Sequence, residues 1–211
     1  MPHATAPALR VLHALRVKGF AEPPAIAEAT GLAEGEVEPI VNTLGADGLA
    51  THRDGRICGW TLSAEGKTEH LRLLAEDRDA AGADAALELA YKGFLDANEA
   101  FKALCTDWQL RTVGGEQVMN DHTDAAYDAA IAVRLDSLHA GIVPVLDDLT
   151  AALPRFEPYA GRLTNAAERF TGGEPHALAR PLANSYHDVW MELHQDLLLS
   201  LGRERDAADG H

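Results

Sequence analysis

The chain has 211 residues, 46% of them hydrophobic, and a formal net charge of −15. This length suits one large or two small folded domains. No apolar run approaches the ~20 residues that span a bilayer, and the N-terminus lacks the apolar core of a secretory signal, so we expect a cytoplasmic protein without membrane contact. Cys58 and Cys105 fall in segments that look like different domains, so we expect free thiols rather than a disulfide or a structural zinc site.

The negative charge is concentrated in the second part of the chain. Residues 1–75 contain 7 Lys and Arg against 9 Asp and Glu, whereas the remainder contains 11 against 24. Because nucleic acid needs cationic partners for its phosphates, the second part is not expected to bind it.

Three helices and a hairpin are predicted at the start of the chain. Apolar spacing predicts helices from about Pro7 to Lys18, after Pro23-Pro24, and from about Glu34 to Gly45. Alternation around Asp54-Gly55 predicts a β-hairpin, and Ser63 predicts entry into a fourth helix. This order is typical of a helix-turn-helix followed by a wing.

Four short runs give this segment a family likeness. They are the turn Thr30-Gly31-Leu32, the helix end Asp47-Gly48-Leu49, the wing turn from Arg53 to Arg56, and the run from Leu62 to Gly66. With these runs the segment resembles the winged helix-turn-helix of MarR-like bacterial regulators, over residues 1–78 or about a third of the chain. The resemblance implies DNA binding, with the third helix in the major groove and the wing on the backbone.

The predicted DNA-binding residues are few. Asn42 and Thr43 are candidates for reading bases, and Arg53 and Arg56 for contacting phosphates. The first turn of the same helix contains three carboxylates, at Glu34, Glu36 and Glu38. Acids at a helix start stabilise its dipole, but near DNA they would repel phosphate. The alternative therefore stays open that this is an accessory protein whose acidic winged helix contacts a protein partner and not DNA.

Residues 79–211 are predicted to form an all-α bundle of about four helices. Apolar stripes predict helices over about Ala85–Arg111, onward from Asn120 or Thr123, over Arg155–Phe170 and over Ser185–Gly202. Gly141 and Pro144 are expected to kink or break the second of these, and no segment is predicted as a strand. Short connections favour an antiparallel bundle or a homodimer built on the long helices.

Polar residues on the bundle predict a ligand site. On the last helix two imidazoles and an indole interrupt the apolar face, and the first two helices meet at a short loop flanked by polar side chains. Such a lining suits a small anionic or aromatic effector. The candidate ligand-binding residues are Trp108, Arg111, Asp121, His122, Tyr127, Arg134, His187, Trp190 and His194.

Structural roles for the same residues stay open. The NDHTD run is a common helix-capping composition, histidines on an apolar stripe are frequently core residues, and the tryptophans suit a core as well as a ligand platform. Arg134 has Asp128 and Asp136 as candidate partners on the same helix.

No metal ion, cofactor or catalytic site is predicted. His187 and His194 are two turns apart, about 10 Å along a helix, which is too far for one ion. A site combining one of them with His122, Asp121 or Asp124 stays open, as in helical sensor domains of GntR-type winged-helix regulators. The chain has no Gly-rich phosphate loop and no nucleophile motif, so an enzyme is the least favoured interpretation.

The second part also has a family likeness. Its DWQLR, NDHTD, SYHDVW and ELHQDLLLSLGRER blocks resemble a poorly characterised helical domain that follows MarR-like winged helices in high-GC bacterial proteins. That resemblance implies no known ligand. We therefore predict a cytoplasmic, homodimeric, one-component transcriptional regulator that binds operator DNA and senses a small molecule in its bundle.

Overall fold

The first part of the chain folds as three helices, a two-stranded hairpin and a fourth helix. The structure is a computed structural model that describes residues 3–55 and 58–203. The elements are α1 (Pro7–Lys18), α2 (Pro23–Thr30), α3 (Glu34–Ala46), β1 (Ala50–Arg53), β2 (Gly59–Leu62) and α4 (Ala64–Ala81). This order confirms the predicted mainly α fold with a hairpin wing, and the arrangement is like that of a winged helix.

The wing closes against the start of α2. Ala21 and Trp60 exchange backbone hydrogen bonds of 3.0 and 2.8 Å, so the segment before α2 pairs with β2. Gly59 has φ +139°, and a Cβ built there would lie 2.8 Å from the Ala21 carbonyl oxygen. Because glycine alone tolerates this backbone and this approach, Gly59 lets the hairpin close. The closure also brings Glu22, the N-cap residue of α2, beside the wing.

The second part forms a helical bundle with a second small hairpin. Its elements are α5 (Asp84–Gln109), β3 (Leu110–Val113), β4 (Glu116–Met119), α6 (Ala125–Ala152), α7 (Glu157–Thr171), α8 (His176–Ala179) and α9 (Tyr186–Ser200), with a 3-10 turn at Pro154–Phe156. The long helices α5 and α6 pack on each other, and α7 and α9 complete the apolar core.

The hairpin between α5 and α6 was not predicted. Leu110 pairs with Met119 and Val113 with Glu116, around a turn at Gly114-Gly115 with φ of +64° and +91°. Two consecutive glycines favour this kind of tight hairpin turn. The sequence does not indicate these strands, because β4 is exposed along its whole length and therefore has no apolar alternation.

α6 differs from its prediction in two respects, its continuity and its N-cap residue. It continues from Ala125 to Ala152 through Gly141 and Pro144. Ala140, whose carbonyl loses its helical partner to Pro144, is exposed, so water can satisfy it. The N-cap is Asp124, whose carboxylate accepts from the N–H groups of Ala126 and Tyr127, and not the predicted Asn120 or Thr123.

In the described part of the chain, α6 is the one helix long and apolar enough to span a membrane by length and composition. Its most apolar 18-residue window has a hydropathy of 1.5 and is 22% buried. A single helix of this kind is weak evidence for a membrane span, since core helices of soluble proteins pass the same test.

α9 lies between the two parts of the molecule. It packs on α5, α7 and α8 of the bundle and also on α1 and α4 of the first part. Every residue from Val189 to Ser200 is buried or half-buried. Because its sides are covered by both parts, α9 supplies side chains to two different environments.

Candidate functional site

The outer side of α3 and the end of β1 present the predicted DNA-binding residues to solvent. Asn42 and Thr43 are exposed on α3, and Thr43 donates a hydrogen bond to the Pro39 carbonyl at 2.9 Å. Arg53 is exposed at the end of β1. Arg56 lies outside the described residues. The three described residues are therefore accessible to a large partner.

The same helix exposes its three carboxylates. Glu36 accepts a hydrogen bond of 3.0 Å from the backbone N–H of Ala33, so this acid caps the helix start. Glu34 and Glu38 are exposed, and they lie on the side of α3 that presents Asn42. The surface offered by α3 is consequently polar and acidic.

The predicted ligand residues from the α5–α6 connection form one cluster. The Trp108 and His122 rings lie 4.2 Å apart, and His122 Nδ1 lies 3.1 Å from a carboxylate oxygen of Asp128. Asn120 is buried and donates to the Trp108 carbonyl at 3.1 Å and to Asp128 at 3.0 Å.

The charged side chains of this cluster also form ion pairs. Arg111 lies 3.4 Å from Asp121 and 3.7 Å from Asp124, and the Tyr127 hydroxyl donates to the Asp107 carbonyl at 2.8 Å. Arg134 pairs with Asp107 at 2.7 Å, a partner on α5 and neither of the two carboxylates considered from the sequence. These polar groups therefore tie α5, the hairpin and α6 together.

The predicted residues of α9 form a second cluster, against α5. Trp190 is fully buried and donates through Nε1 to Asn98 at 2.9 Å. The buried His194 ring lies 5.0 Å from the Phe94 ring. His187 is half-buried, and burial lowers its pKa. The predicted ligand residues thus lie in two places in the bundle.

A buried polar network joins the first part of the chain to the bundle, and we call it the seam network (His13, His70, Arg155, Tyr159 and Asp196). The Asp196 carboxylate accepts from Arg155 at 2.8 Å and from the Tyr159 hydroxyl at 3.0 Å. His13 Nε2 lies 2.9 Å from Asp196 Oδ1, the oxygen that Arg155 also contacts, and His13 Nδ1 lies 2.8 Å from His70 Nε2. α1, α4, α7 and α9 all contribute to it.

The proton positions in the seam network follow from the acceptor at its centre. An ionised carboxylate can only accept, so a neutral His13 with its proton on Nε2, 2.9 Å from Asp196, has Nδ1 free to accept from His70 Nε2–H. Burial lowers the pKa of His13, and burial with nearby His13 lowers that of His70 to about 3. Although burial alone would raise the pKa of Asp196, Arg155 and His13 hold it below its ordinary value. The network therefore contains an ion pair with two neutral imidazoles.

Beside this network lies a second bridge between the two parts. Glu192 of α9 pairs with Lys18 of α1 at 2.7 Å and with Arg162 of α7 at 2.7 Å. Lys18 and Glu192 line both a small cavity of about 20 Å³, which reaches Asp196, and an open groove of about 550 Å³, which reaches His187. The smaller space can hold about one water molecule, whereas the groove is large enough for a small organic molecule.

The seam residues were missed in the sequence analysis, although one signal was present. Arg155, Tyr159 and Arg162 are spaced by four and three residues, which places two cations and a phenol on one side of a helix. Nothing in the sequence, however, indicates that His13, more than 140 residues earlier, would meet them.

One group of side chains in the described residues has donors arranged for a metal ion. It is formed by His52, Asp54 and Cys58 on the wing. In the bundle, by comparison, His122 is paired with Asp128, and Asp121 and Asp124 are paired with Arg111. The metal alternative considered for the bundle would thus require these pairs to separate.

Comparisons of the chain with models of protein families, with curated proteins and with solved structures find no match. The resemblance to MarR-like regulators therefore stays a prediction, which the arrangement of helices and wing is compatible with.

Proposed function

We propose that the protein is a MarR-like transcriptional regulator of the cytoplasm that binds DNA through its winged helix and senses a small molecule with its helical bundle. The observation that carries this proposal is that different elements of the first part of the chain face the bundle and the solvent. α1, α2 and α4 pack against the bundle, while the outer side of α3, with Asn42 and Thr43, and the end of β1, with Arg53, face solvent. These are the surfaces by which a winged helix contacts the major groove and the backbone.

If α3 binds DNA, its acidic surface should lower the affinity. Glu34 and Glu38 would lie near phosphates, so they should weaken binding that Arg53 strengthens. We expect a regulator with modest affinity and strong salt dependence, in which removal of either acid tightens the complex.

The test is fluorescence anisotropy with labelled duplexes from the DNA flanking its own gene, across a series of salt concentrations. Arg53→Ala should weaken binding to all sequences and reduce the salt slope by about 1, whereas Asn42→Ala should mainly reduce the preference for the best sequence. Glu38→Gln should strengthen binding. Glu99→Gln, which removes the same charge from α5, is the matched control and should change little.

A second function is favoured by those same carboxylates. An accessory protein whose α3 binds a basic partner protein would use Glu34 and Glu38 as attractive groups. Absence of DNA binding at low salt, together with no effect of Arg53→Ala, would reject the regulator and leave this function.

For sensing, we propose that the effector lies in the groove that contains His187, between α1, α2 and α9. An occupant there would touch both parts of the chain, so it could bias the position of the winged helix. Thermal-shift screening of small carboxylates and aromatics against the wild type and His187→Ala is the measurement. An effector that stabilises both proteins equally would remove His187 from the site.

We also propose that the protein is a homodimer. From Ala126 to Pro144, the side of α6 that faces directly away from the bundle presents small or apolar residues and a serine, and Val133 is 65% exposed on it. Because a helix side open to water normally contains charges, this side suits contact with a second copy. Sedimentation equilibrium of wild type and Val133→Glu tests it, since a dimer formed elsewhere would be unaffected.

A further inference from the structure

The tip of the wing and the start of α2 bring together four side chains that are typical ligands of zinc. His52 Nδ1, a carboxylate oxygen of Asp54 and the Cys58 sulfur all lie within 4.8 Å of one another. His52 Nδ1 and Asp54 Oδ1 are 3.2 Å apart. The fourth side chain is Glu22, the N-cap residue of α2, which directly follows Ala21, the backbone partner of Trp60 on β2.

The fold explains why residues so far apart in sequence meet here. His52 lies near the end of β1, Cys58 directly precedes β2, and the two strands are antiparallel. The backbone pairing of Ala21 with Trp60 then places the next residue, Glu22, beside Cys58. The Trp60 ring contacts the His52 ring edge-on at 5.1 Å, which limits the orientations of the imidazole. β-pairing thus places Cys58 and Glu22, and packing against the Trp60 ring orients His52.

The distances are close to those of a coordinated ion. Zinc binds thiolate sulfur at ~2.3 Å and nitrogen or oxygen at ~2.0–2.2 Å in a tetrahedron, which corresponds to ligand separations of roughly 3.3–3.8 Å. The pair formed by His52 and Asp54 already matches this value. Donors no more than 4.8 Å apart need to approach by only about 1 Å, which side-chain rotation can supply.

The charges of these side chains also favour a cation. Asp54 and Glu22 are carboxylates, which are ordinarily ionised at neutral pH. A divalent ion coordinates a thiolate and neutralises the carboxylates, and the thiol proton is released to water. A set of one thiolate, one imidazole and carboxylates favours zinc over magnesium or calcium, which prefer oxygen ligands alone.

We propose that His52, Asp54, Cys58 and Glu22 form a zinc site that fastens the wing to the start of α2. Cys58, expected from the sequence to be a free thiol, is then a metal ligand. Zinc would hold the wing in one position relative to the helices. The site does not rest on DNA binding, because its donors belong to a single chain and require no second molecule.

Cobalt(II) replaces zinc in such sites and reports its ligands by absorption, so it is the probe. The full chain, without an added histidine tag, is titrated with cobalt and then with zinc. We expect a thiolate-to-cobalt charge-transfer band, d–d bands of tetrahedral intensity, and loss of both when zinc is added but not when magnesium is added. Cys58→Ser should abolish the charge-transfer band, and His52→Gln and Glu22→Gln should each weaken binding at least about 10-fold.

Cys105→Ser is the matched control, because it removes the chain's other thiol from α5 and should leave the spectrum unchanged. Circular dichroism confirms that each variant is folded before titration. Cobalt binding without a charge-transfer band, or equal binding by wild type and Glu22→Gln, would overturn the site. Either result can be read whether or not the protein binds DNA.

Discussion

At the scale of single residues, Asp196 shows how a carboxylate is held inside the protein. Its side chain is 2% exposed and is contacted by a guanidinium, a phenol and an imidazole. A buried charge of this kind costs several kcal/mol of desolvation, which only close partners offset. Arg155, 3% exposed, depends on Asp196 in the same way.

We predict that Asp196→Asn destabilises the protein by about 3–5 kcal/mol, because it leaves the Arg155 charge buried without a counter-ion. Urea unfolding at pH 7 measures the change. Asp147→Asn, which removes a carboxylate from the exposed side of α6, should change the free energy of unfolding by less than ~0.5 kcal/mol. Equal stability of Asp196→Asn and wild type would contradict the ion pair.

The two buried histidines predict a loss of stability in mild acid. In the unfolded chain each binds a proton below about pH 6.5, whereas the folded pKa of His70 is lowered to about 3 and that of His13 is also lowered. The stability is therefore complete above pH 6.5 and falls as pH decreases, by up to ~1.4 kcal/mol per pH unit for each histidine. Asp196, with a depressed pKa, contributes its stability above its unfolded pKa of about 3.9, so it is not lost in this window.

Urea unfolding between pH 7 and pH 4.5 checks this expectation. His70→Gln should make the dependence on pH shallower whatever its effect on stability at pH 7. His176→Gln, a change at an exposed histidine, should leave the slope as it is in the wild type. A wild-type stability that is flat over this range would mean that the histidines are protonated in the folded state.

At the scale of elements, the sequence predicted those helix ends and turns that neighbouring residues determine. Proline at the start and glycine after the end placed α1 and α2, and Asp54-Gly55 placed the wing. The prediction that Pro144 breaks α6 was wrong, because the free-energy cost of a proline in a helix depends on whether the carbonyl that loses its partner is buried. Tertiary structure decides this burial. The seam network could not be predicted for the same reason, since its members come from four helices and a 3-10 turn, most of them distant in sequence.

α9 begins with a reciprocal cap. Ser185 Oγ accepts from the N–H of Asp188 at 3.1 Å, and the Asp188 carboxylate accepts from the N–H of Ser185 at 3.2 Å. We predict that Ser185→Ala costs about 1 kcal/mol, measured by thermal unfolding. Ser137→Ala is the control, because Ser137 lies within α6 and donates its hydrogen bond to the Val133 carbonyl of the same helix. A larger loss in the control would show that capping is not the cause.

At the scale of the whole molecule, α9 connects two apolar cores. One core lies within residues 11–62 and the other within residues 83–198. Between them the contacts include the seam network and the pair of Glu192 with Lys18, and Glu192 also pairs with Arg162 within the bundle. Whether residues 1–78 and 79–211 are separate domains stays a prediction. Polar contacts that need correct geometry favour one orientation of the two parts over many.

Glu192→Gln tests this connection. Because the carboxylate lies between two cations from different parts of the chain, we expect faster hydrogen exchange in α1 and unchanged exchange in the α5–α6 connection. Mass spectrometry of peptides from both regions measures it, with Glu99→Gln as the control within α5. Faster exchange throughout the chain would indicate a general loss of stability and not a local one.

The turn between α4 and α5 gives the seam a further consequence. Gly82 is exposed there with φ +62°, in a position that a protease can reach. A chain cut at this point would still contain α1 and α4 bound to α9, although no peptide bond would join them. The two fragments should then co-purify as a non-covalent pair whose separation depends on dilution, and recombining them should restore the intact form without ligation.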